Sequence, residues 1–310
     1  MKIAIVDIGT NSVILLAIEA DGDSEKLEVQ FEQALEPRLG EELHKKQKLN
    51  SRAMERTIRA ASRLMKSTGW LSIDRVIAFG THALRYASNS DIFCEKFEKR
   101  TGRKVLILSA EEEAQLSCQG ALIGLDDVKD FLVVDVGGGS TEISRFSSDG
   151  NIEFNSIPIG AVTLTERLDI RQPVSPKKSE EVHNFIREKF GKYLEGIQIN
   201  TLIGSGGTAT SVAMVDLKLS EFDAEKVHGT EIDHYHFSRL SDKFSSKSLS
   251  DLRSILFFAP GRADIIAAGC SLYKEIMDIT GAKRFLTSQK GVRWGVAKNY
   301  KEFIKRIDAL

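Results

Sequence analysis

Cysteine, proline and net charge are all scarce in this chain, and each shortage narrows what it can be. Its three cysteines, Cys94, Cys118 and Cys270, lie far apart in 310 residues. They match neither a redox pair nor a zinc-ligand spacing, so packed, reduced thiols are expected and no disulfide framework. With 5 prolines, 42% hydrophobic and 28% charged residues, there is material for buried cores and little for disordered tails. Lys and Arg (43) nearly balance Asp and Glu (44), which argues against the broad basic footprint that nucleic acid or an anionic membrane requires. A compact anion could still meet a local basic patch. No run is long enough to span a bilayer, and the N-terminus reaches Asp7 without the basic start and apolar stretch of a secretory signal, so a cytoplasmic protein is expected.

What is present is a long, regularly patterned chain whose length favours more than one folding unit. Lys2 to Val6, Val13 to Ile18 and Lys26 to Ala34 read as a β-meander. Met54, Ile58, Ala61 and Met65 recur at helical spacing; Arg75 to Phe79 reads as a strand and Ile92 to Lys99 as helix. After the strand Val105 to Leu108, Ser109 and Glu112 have capping-box spacing, so a helix should start there and run to about Ile123. A second meander follows in Phe131 to Val136, Thr141 to Phe146 and Ile152 to Ile157. Helices, the strands Thr201 to Ile203 and Arg284 to Thr287, and no Pro/Gly/Ser-rich linker complete the chain.

The informative feature is an internal echo. Ile5 to Ser12 resembles Val133 to Thr141 in order and chemistry, which suggests a duplicated unit. In each copy an apolar strand delivers one aspartate, Asp7 or Asp135, to its end, where Gly9, or Gly137, Gly138 and Gly139, permits tight turning and close approach of N–H groups to an anion. Hydroxyls of Thr10, Ser12, Ser140 and Thr141, with Asn11 between, add polar groups. A third element, Gly204 to Thr210, runs from strand through Gly206, Gly207 and Thr208 into a helix, whose N-terminus favours negative charge. Three phosphate-facing loops are therefore expected, although any one alone reads equally as hairpin punctuation. Hydrolysis also needs a carboxylate to aim water, and two candidates stand out: the cluster Glu111-Glu112-Glu113 at a helix start, and Glu142 directly after the glycine turn.

These residues carry a resemblance. Asp7 to Ser12, Arg38-Leu39-Gly40, Ala83-Leu84-Arg85, Glu112-Glu113-Ala114, Asp135 to Glu142, Pro158 to Val162, Gly204 to Thr208 and Arg262-Ala263-Asp264 occur together in the order of the exopolyphosphatase and guanosine pentaphosphate phosphatase family, within the superfamily of actin, sugar kinases and heat-shock chaperones. The resemblance covers essentially the whole chain. It implies an α/β protein of two actin-like, ribonuclease H-like lobes, each a mixed five-stranded sheet flanked by helices, with a cleft between. Lobe one would span 1–124 plus 296–310 and lobe two 125–295. By this resemblance Glu113 is the catalytic base, Asp135 and Glu142 hold Mg²⁺ and the attacking water, Asp7 is a further metal carboxylate, and Arg85 contacts phosphate. The implied substrate is polyphosphate or guanosine pentaphosphate, with no nucleic acid or membrane partner and a homodimer as a candidate assembly.

Two positions depart from the family pattern. Ile14 stands where many relatives carry a basic residue, and Trp294 where relatives usually place an acid. The chain also ends where longer members continue, which favours short chains or a nucleotide as substrate. Two rival readings are an ATP-dependent small-molecule kinase of the same superfamily and a non-catalytic guanosine-nucleotide sensor. His234 and His236 would share one strand face near His228, but no second ligand pair joins them for a metal.

Overall fold

The computed structural model describes residues 1–21, 27–146 and 152–310. In chain order the first elements are β1 (Lys2–Ile8), β2 (Val13–Ala20), β3 (Leu27–Leu35), α1 (Leu43–Lys46), α2 (Ser51–Ser67), β4 (Arg75–Gly80), α3 (His82–Tyr86), α4 (Ser90–Thr101), β5 (Val105–Ile107) and α5 (Ala110–Ala121). Next come β6 (Phe131–Val136), β7 (Thr141–Phe146), β8 (Ile152–Ile157), α6 (Ala161–Arg167), α7 (Pro176–Leu194), β9 (Thr201–Ser205) and α8 (Gly206–Asp216). The chain continues through α9 (Ala224–Val227), β10 (Glu231–Asp233), α10 (His234–Ser246), α11 (Leu249–Ile255), α12 (Ile266–Thr280), β11 (Arg284–Thr287), α13 (Val292–Lys298) and α14 (Tyr300–Asp308). Both meanders form; Lys26, taken as the start of the third strand, lies outside the described residues.

Two compact units result: residues 1–116 with 292–310, and residues 117–291. The first division falls inside α5 and the second after Gly291. Unit 1 holds a sheet of order β3-β2-β1-β4-β5. In it β1 pairs antiparallel with β2 and parallel with β4. The side-chain period of two sends Ala4, Val6 and Ile8 into one core with Met54, Ile58, Ala61 and Leu64 of α2, and leaves Asp7 on the opposite face with Ile3 and Ile5.

Unit 2 repeats the plan. Its sheet has order β10-β11-β9-β6-β7-β8, with β6 antiparallel to β7 and parallel to β9. The sheet therefore has six strands where five were expected; the extra one, β10, is a three-residue edge strand beside β11, too short to show a period in the sequence. Leu132, Val134 and Val136 enter the larger core with α7 and α12, whereas Val133 faces Cys118 and Ala121 of α5. Asp135 takes the Val133 side by the same alternation.

The strand expected at His234 and His236 is a helix. Asp233 caps it, accepting from the His236 N–H at 2.8 Å. The two rings reach different carboxylates, His234 Asp278 and His236 Asp216, each at 2.6 Å, and His228 contacts the Ile123 carbonyl at 2.9 Å. They form no shared metal set.

Beneath the ends of β6 and β9 lie the rings of Phe237, Tyr273 and Phe285, with centroids 4.6 to 6.3 Å apart. A Cβ at Gly204 would run into the Phe285 ring. Gly204→Ala is expected to overpack this cluster and destabilise the protein by about 1–3 kcal/mol, read as a lower urea midpoint; an unchanged midpoint would mean that the ring has room to move.

Candidate active site

Each unit carries one Asp-bearing hairpin of the same geometry. In unit 1 the Gly9 N–H donates to the Ser12 carbonyl at 2.9 Å; in unit 2 the Gly137 N–H donates to the Ser140 carbonyl at 3.0 Å. A Cβ at either glycine would stand 3.2 Å from that carbonyl, which is why a glycine suits both turns. The unit 1 turn is held from outside: Thr10 and Asn11 carbonyls accept from the N–H groups of Gly40 at 2.8 Å and Arg38 at 2.9 Å. Thr10 and Asn11 are buried, and the Asn11 Oδ1 has no hydrogen-bond partner among the described residues. Asn11 Nδ2 donates to Ser12 Oγ at 3.3 Å.

The unit 2 loop is held by α6. Gly137 accepts from the Ala161 N–H at 2.9 Å, and Gly138 accepts from Val162 at 2.9 Å and Thr163 at 3.1 Å. The Gly139 carbonyl receives the Thr163 hydroxyl at 3.3 Å. In a trans peptide the N–H points opposite to the preceding C=O, so the amides of Gly138, Gly139 and Ser140 are turned away from α6. That arrangement is a row of donors of the kind that can meet an anion. Ser140 itself is buried, and the fully buried Thr141 commits its hydroxyl to the Ile159 carbonyl at 2.7 Å, which makes Thr141 a brace of the loop.

Asp135 and Glu142 stand directly opposite each other across β6 and β7. Residues so paired lie on one face with neighbouring Cβ atoms, and two like charges there repel unless a cation or proton lies between them. Glu142 is buried and accepts from Ser156 Oγ at 2.7 Å. Asp135 accepts from Ser205 Oγ at 3.4 Å, and a Cβ at Gly206 would stand 2.8 Å from its Oδ1. In unit 1 the residue opposite Asp7 is Ile14, so that hairpin offers one carboxylate where unit 2 offers two. Among the described residues no three His, Cys, Asp or Glu side chains gather as a metal set; the donors that fit a hard cation are the Asp135 and Glu142 pair.

Gly206 and Gly207 open α8, and Gly206 has φ 89°, a conformation glycine adopts at little cost. A Cβ at Gly207 would collide with the Arg262 guanidinium, so that cation rests on the loop. Thr208 is buried and its side chain packs toward Gly269 of α12. Sequence reasoning used Arg262 as a landmark without a role; its approach to Gly207 joins residues 55 positions apart in the chain. It also missed Tyr273. This fully buried phenol donates to the Ser205 carbonyl and accepts from the Val136 N–H at 3.2 Å, bridging the two strand ends that lead into the glycine loops. Burial first, then the charge of Asp135, push its pKa well above the usual phenol value, so it stays a neutral donor.

Unit 1 places Glu113 and Arg85 together. Glu113 is buried in the first turn of α5, and Arg85 Nη1 stands 2.8 Å from its Oε2 and donates to the Leu108 carbonyl at 2.9 Å. The capping box forms: Ser109 N–H meets Glu112 Oε2 at 2.7 Å and Glu112 N–H meets Ser109 Oγ at 3.1 Å. Arg306 of α14 grips the other Glu112 oxygen at 2.9 Å. Burial opposes the Glu112 charge, but the Ser109 N–H and Arg306 outweigh it and hold its pKa below the usual value. The box thus occupies Glu112 and leaves Glu113 as the residue facing Arg85. Trp294 is buried in α13, and a Cβ at the adjacent Gly295 would strike the Leu116 backbone, so α13 and α5 touch at backbone distance. The departure at Trp294 is therefore a packing residue.

Unit 2 thus sets a facing carboxylate pair beside a glycine loop whose amides form a row of donors, a geometry suited to phosphate chemistry. The model of the Ppx/GppA phosphatase family matches residues 18–302. The chain is 31% identical over 303 residues to the bifunctional 3-dehydroquinate synthase/phosphatase of Fusobacterium nucleatum, covering 92% of this chain and 44% of that protein. It is 25% identical over 311 residues to exopolyphosphatase 2 of Mycobacterium tuberculosis, covering 96% and 97% of the two chains. Among solved structures, the Aquifex aeolicus PPX-GPPA enzyme superposes with a TM-score of 0.78 at 27% identity, over 96% of this chain and 99% of that one. This chain belongs to the Ppx/GppA phosphatase family.

Two outcomes test the site. Tyr273→Phe removes a partner from two buried backbone groups and should cost about 1–3 kcal/mol, seen as a lower denaturation midpoint; no loss would mean that the phenol bridges nothing. His82, buried beside Arg85, has its pKa lowered from 6.5 to about 4 by burial and by that charge. A base depressed in the folded state favours folding fully above pH 6.5, and the contribution drains away as pH falls toward 4. His82→Gln should remove up to about 3 kcal/mol of that acid-side loss, read by urea denaturation across the window; parallel curves would contradict it.

Proposed function

We propose that the chain hydrolyses the terminal phosphoanhydride of inorganic polyphosphate or guanosine pentaphosphate and releases orthophosphate. The observation that carries this reading is the Asp135 and Glu142 pair standing at the mouth of the loop whose amides face away from α6. Such a pair fits a hard divalent cation, and the loop fits phosphate oxygens.

In unit 2, Asp135 and Glu142 would hold Mg²⁺, and Asp7 is the matching carboxylate of unit 1. The ion, when bound, would neutralise charge on the phosphoryl oxygens. The N–H groups of Gly138, Gly139 and Ser140 bind the phosphoryl group, and Gly206, Gly207 and the α8 N-terminus with Arg262 bind a neighbouring phosphate. The Gly9 to Ser12 turn offers the same kind of contact in unit 1. Glu113 orients water and takes its proton as the oxygen bonds to phosphorus and the anhydride oxygen leaves. Arg85, at 2.8 Å, complements the charge on Glu113, and its guanidinium has further N–H groups that a phosphate can accept from. The likeness to a protein named exopolyphosphatase 2, which this chain matches over nearly its full length, supports polyphosphate.

The test is phosphate release with Mg²⁺ from tripolyphosphate, long-chain polyphosphate, guanosine pentaphosphate and ATP. Glu113→Gln should lower kcat by about 10²–10⁴ with the fold intact by circular dichroism. Wild-type turnover in that variant would remove Glu113 from the mechanism, and transfer of phosphate to an acceptor in place of water would replace the reading with a kinase.

A further inference from the structure

Asp135 and Glu142 belong to a longer row. In register, Ser205 of β9 stands beside Asp135, Glu142 stands opposite Asp135, and Ser156 of β8 stands opposite Glu142. Residues in register on neighbouring strands share a face of the sheet. Four strands therefore present two carboxylates flanked by two hydroxyls, and each hydroxyl reaches the carboxylate next to it. Ser156 Oγ donates to Glu142 Oε1 at 2.7 Å, and Ser205 Oγ lies 3.4 Å from Asp135 Oδ2. The two holds are unequal. Ser205 has one proton and a nearer acceptor, the Lys290 carbonyl at 3.0 Å, so Ser156 makes the firmer bond to the pair.

The equivalent row of unit 1 reads Phe79, Asp7, Ile14 and Ala34 across β4, β1, β2 and β3. It has no hydroxyl, so the shared plan of the two sheets does not call for one. A buried carboxylate needs donors, and Glu142 is 3% exposed, which accounts for a hydroxyl at 156 once the acid is there. It does not account for the acid, since isoleucine fills the matching place in unit 1 with no charge to compensate. We propose that Ser156 is a positioning residue that fixes the plane of the Glu142 carboxylate and so selects a small octahedral cation, Mg²⁺ or Mn²⁺, over Ca²⁺. A hydroxyl bonded to one carboxylate oxygen resists rotation of the group. Mg²⁺ demands near-ideal octahedral geometry and binds through one or two carboxylates together with waters and phosphate oxygens, whereas Ca²⁺ takes more oxygens in a flexible shell and often both from one carboxylate. A carboxylate held in one orientation suits the first ion and hinders the second, and partners of this kind tune metal affinity through the ligand they orient. The inference rests on the reading of Asp135 and Glu142 as cation ligands made under the proposed function.

The test needs no turnover. Mn²⁺ binding to the full chain is followed through the electron paramagnetic resonance signal of the free ion, and Ca²⁺ affinity through its displacement of Mn²⁺. Glu142→Gln should abolish the binding; Mn²⁺ bound as in the wild type would mean that the ion sits elsewhere, and the proposal would fall. Ser156→Ala is expected to weaken Mn²⁺ by about tenfold, near 1.4 kcal/mol, and Ca²⁺ by less, so that the preference for the smaller ion narrows. Ser156→Thr, which keeps the hydroxyl, should retain both affinities. Unchanged Mn²⁺ affinity in the alanine variant overturns the proposal, as does an equal fall for the two ions or an equal fall in the threonine variant. A bond that is structural alone would lower the thermal midpoint measured in chelator and leave both ion affinities where they were. Phosphate release is read separately. Ion selection that depends on Ser156 with no phosphate released would remove the hydrolase and keep the row, whereas release with ion affinities indifferent to Ser156 would remove this inference alone.

Discussion

The unit 2 loop depends on where its carbonyls go. Gly137, Gly138 and Gly139 direct theirs onto the first turn of α6, where the Ala161, Val162 and Thr163 groups receive them. Because each peptide is planar, that one commitment decides the direction of the next three amides. A loop without it would be free to turn either way, and the donors would be rebuilt at each encounter with an anion. The same bonds draw α6 so close that a Cβ at Gly160 would meet the loop backbone. Preorganised donors of this kind do not have to reorganise when charge develops, which is what phosphoryl chemistry asks of a protein.

Everything around that loop is stiffened from below. Tyr273 ties the ends of β6 and β9, its ring is held by Phe237 and Phe285, and the glycine at 204 leaves space for the latter. The acidic pair Asp135 and Glu142 sits on the opposite face of the same strands from the main core. Facing carboxylates repel unless something positive lies between them, and strands fixed by a buried aromatic cluster can bear that cost. In unit 1 the equivalent stiffening falls on α5, gripped at its start by the capping box and Arg306 and backed by α13 at Gly295.

The two hairpins share a turn and differ in the residue across from the aspartate. Turn geometry is retained to within about a tenth of an ångström in the hydrogen bond that closes it, 2.9 against 3.0 Å. The residue across from the aspartate is not retained: Ile14 in one copy, Glu142 in the other. Backbone turns are preserved because few residues can make them, whereas a cross-strand side chain can change its chemistry without moving the strand. That one position gives unit 2 two facing carboxylates where unit 1 has one.

Much of this was legible in the residues themselves. The strands of both meanders, the glycine turns, the Asp at each strand end and the Ser109 and Glu112 box are set by neighbours in the chain, through side-chain alternation, glycine's freedom at φ and local capping. The resemblance implied roles for Glu113 and Arg85, and the fold brings those two side chains together. Other features were out of reach. The edge strand β10, the resting of Arg262 on Gly207, the Tyr273 bridge and the packing role of Trp294 all join or depend on residues far apart in the chain, whereas the helix at His234 carries a local signal, its Asp233 cap, that the strand reading passed over. Sequence by itself determined the turns and the alternation, because those forces act between neighbours. Which distant side chain fills the space beside a glycine, or satisfies a strand's last amide, was decided only when the chain packed, since close packing admits one partner at a place that local preference leaves open to many.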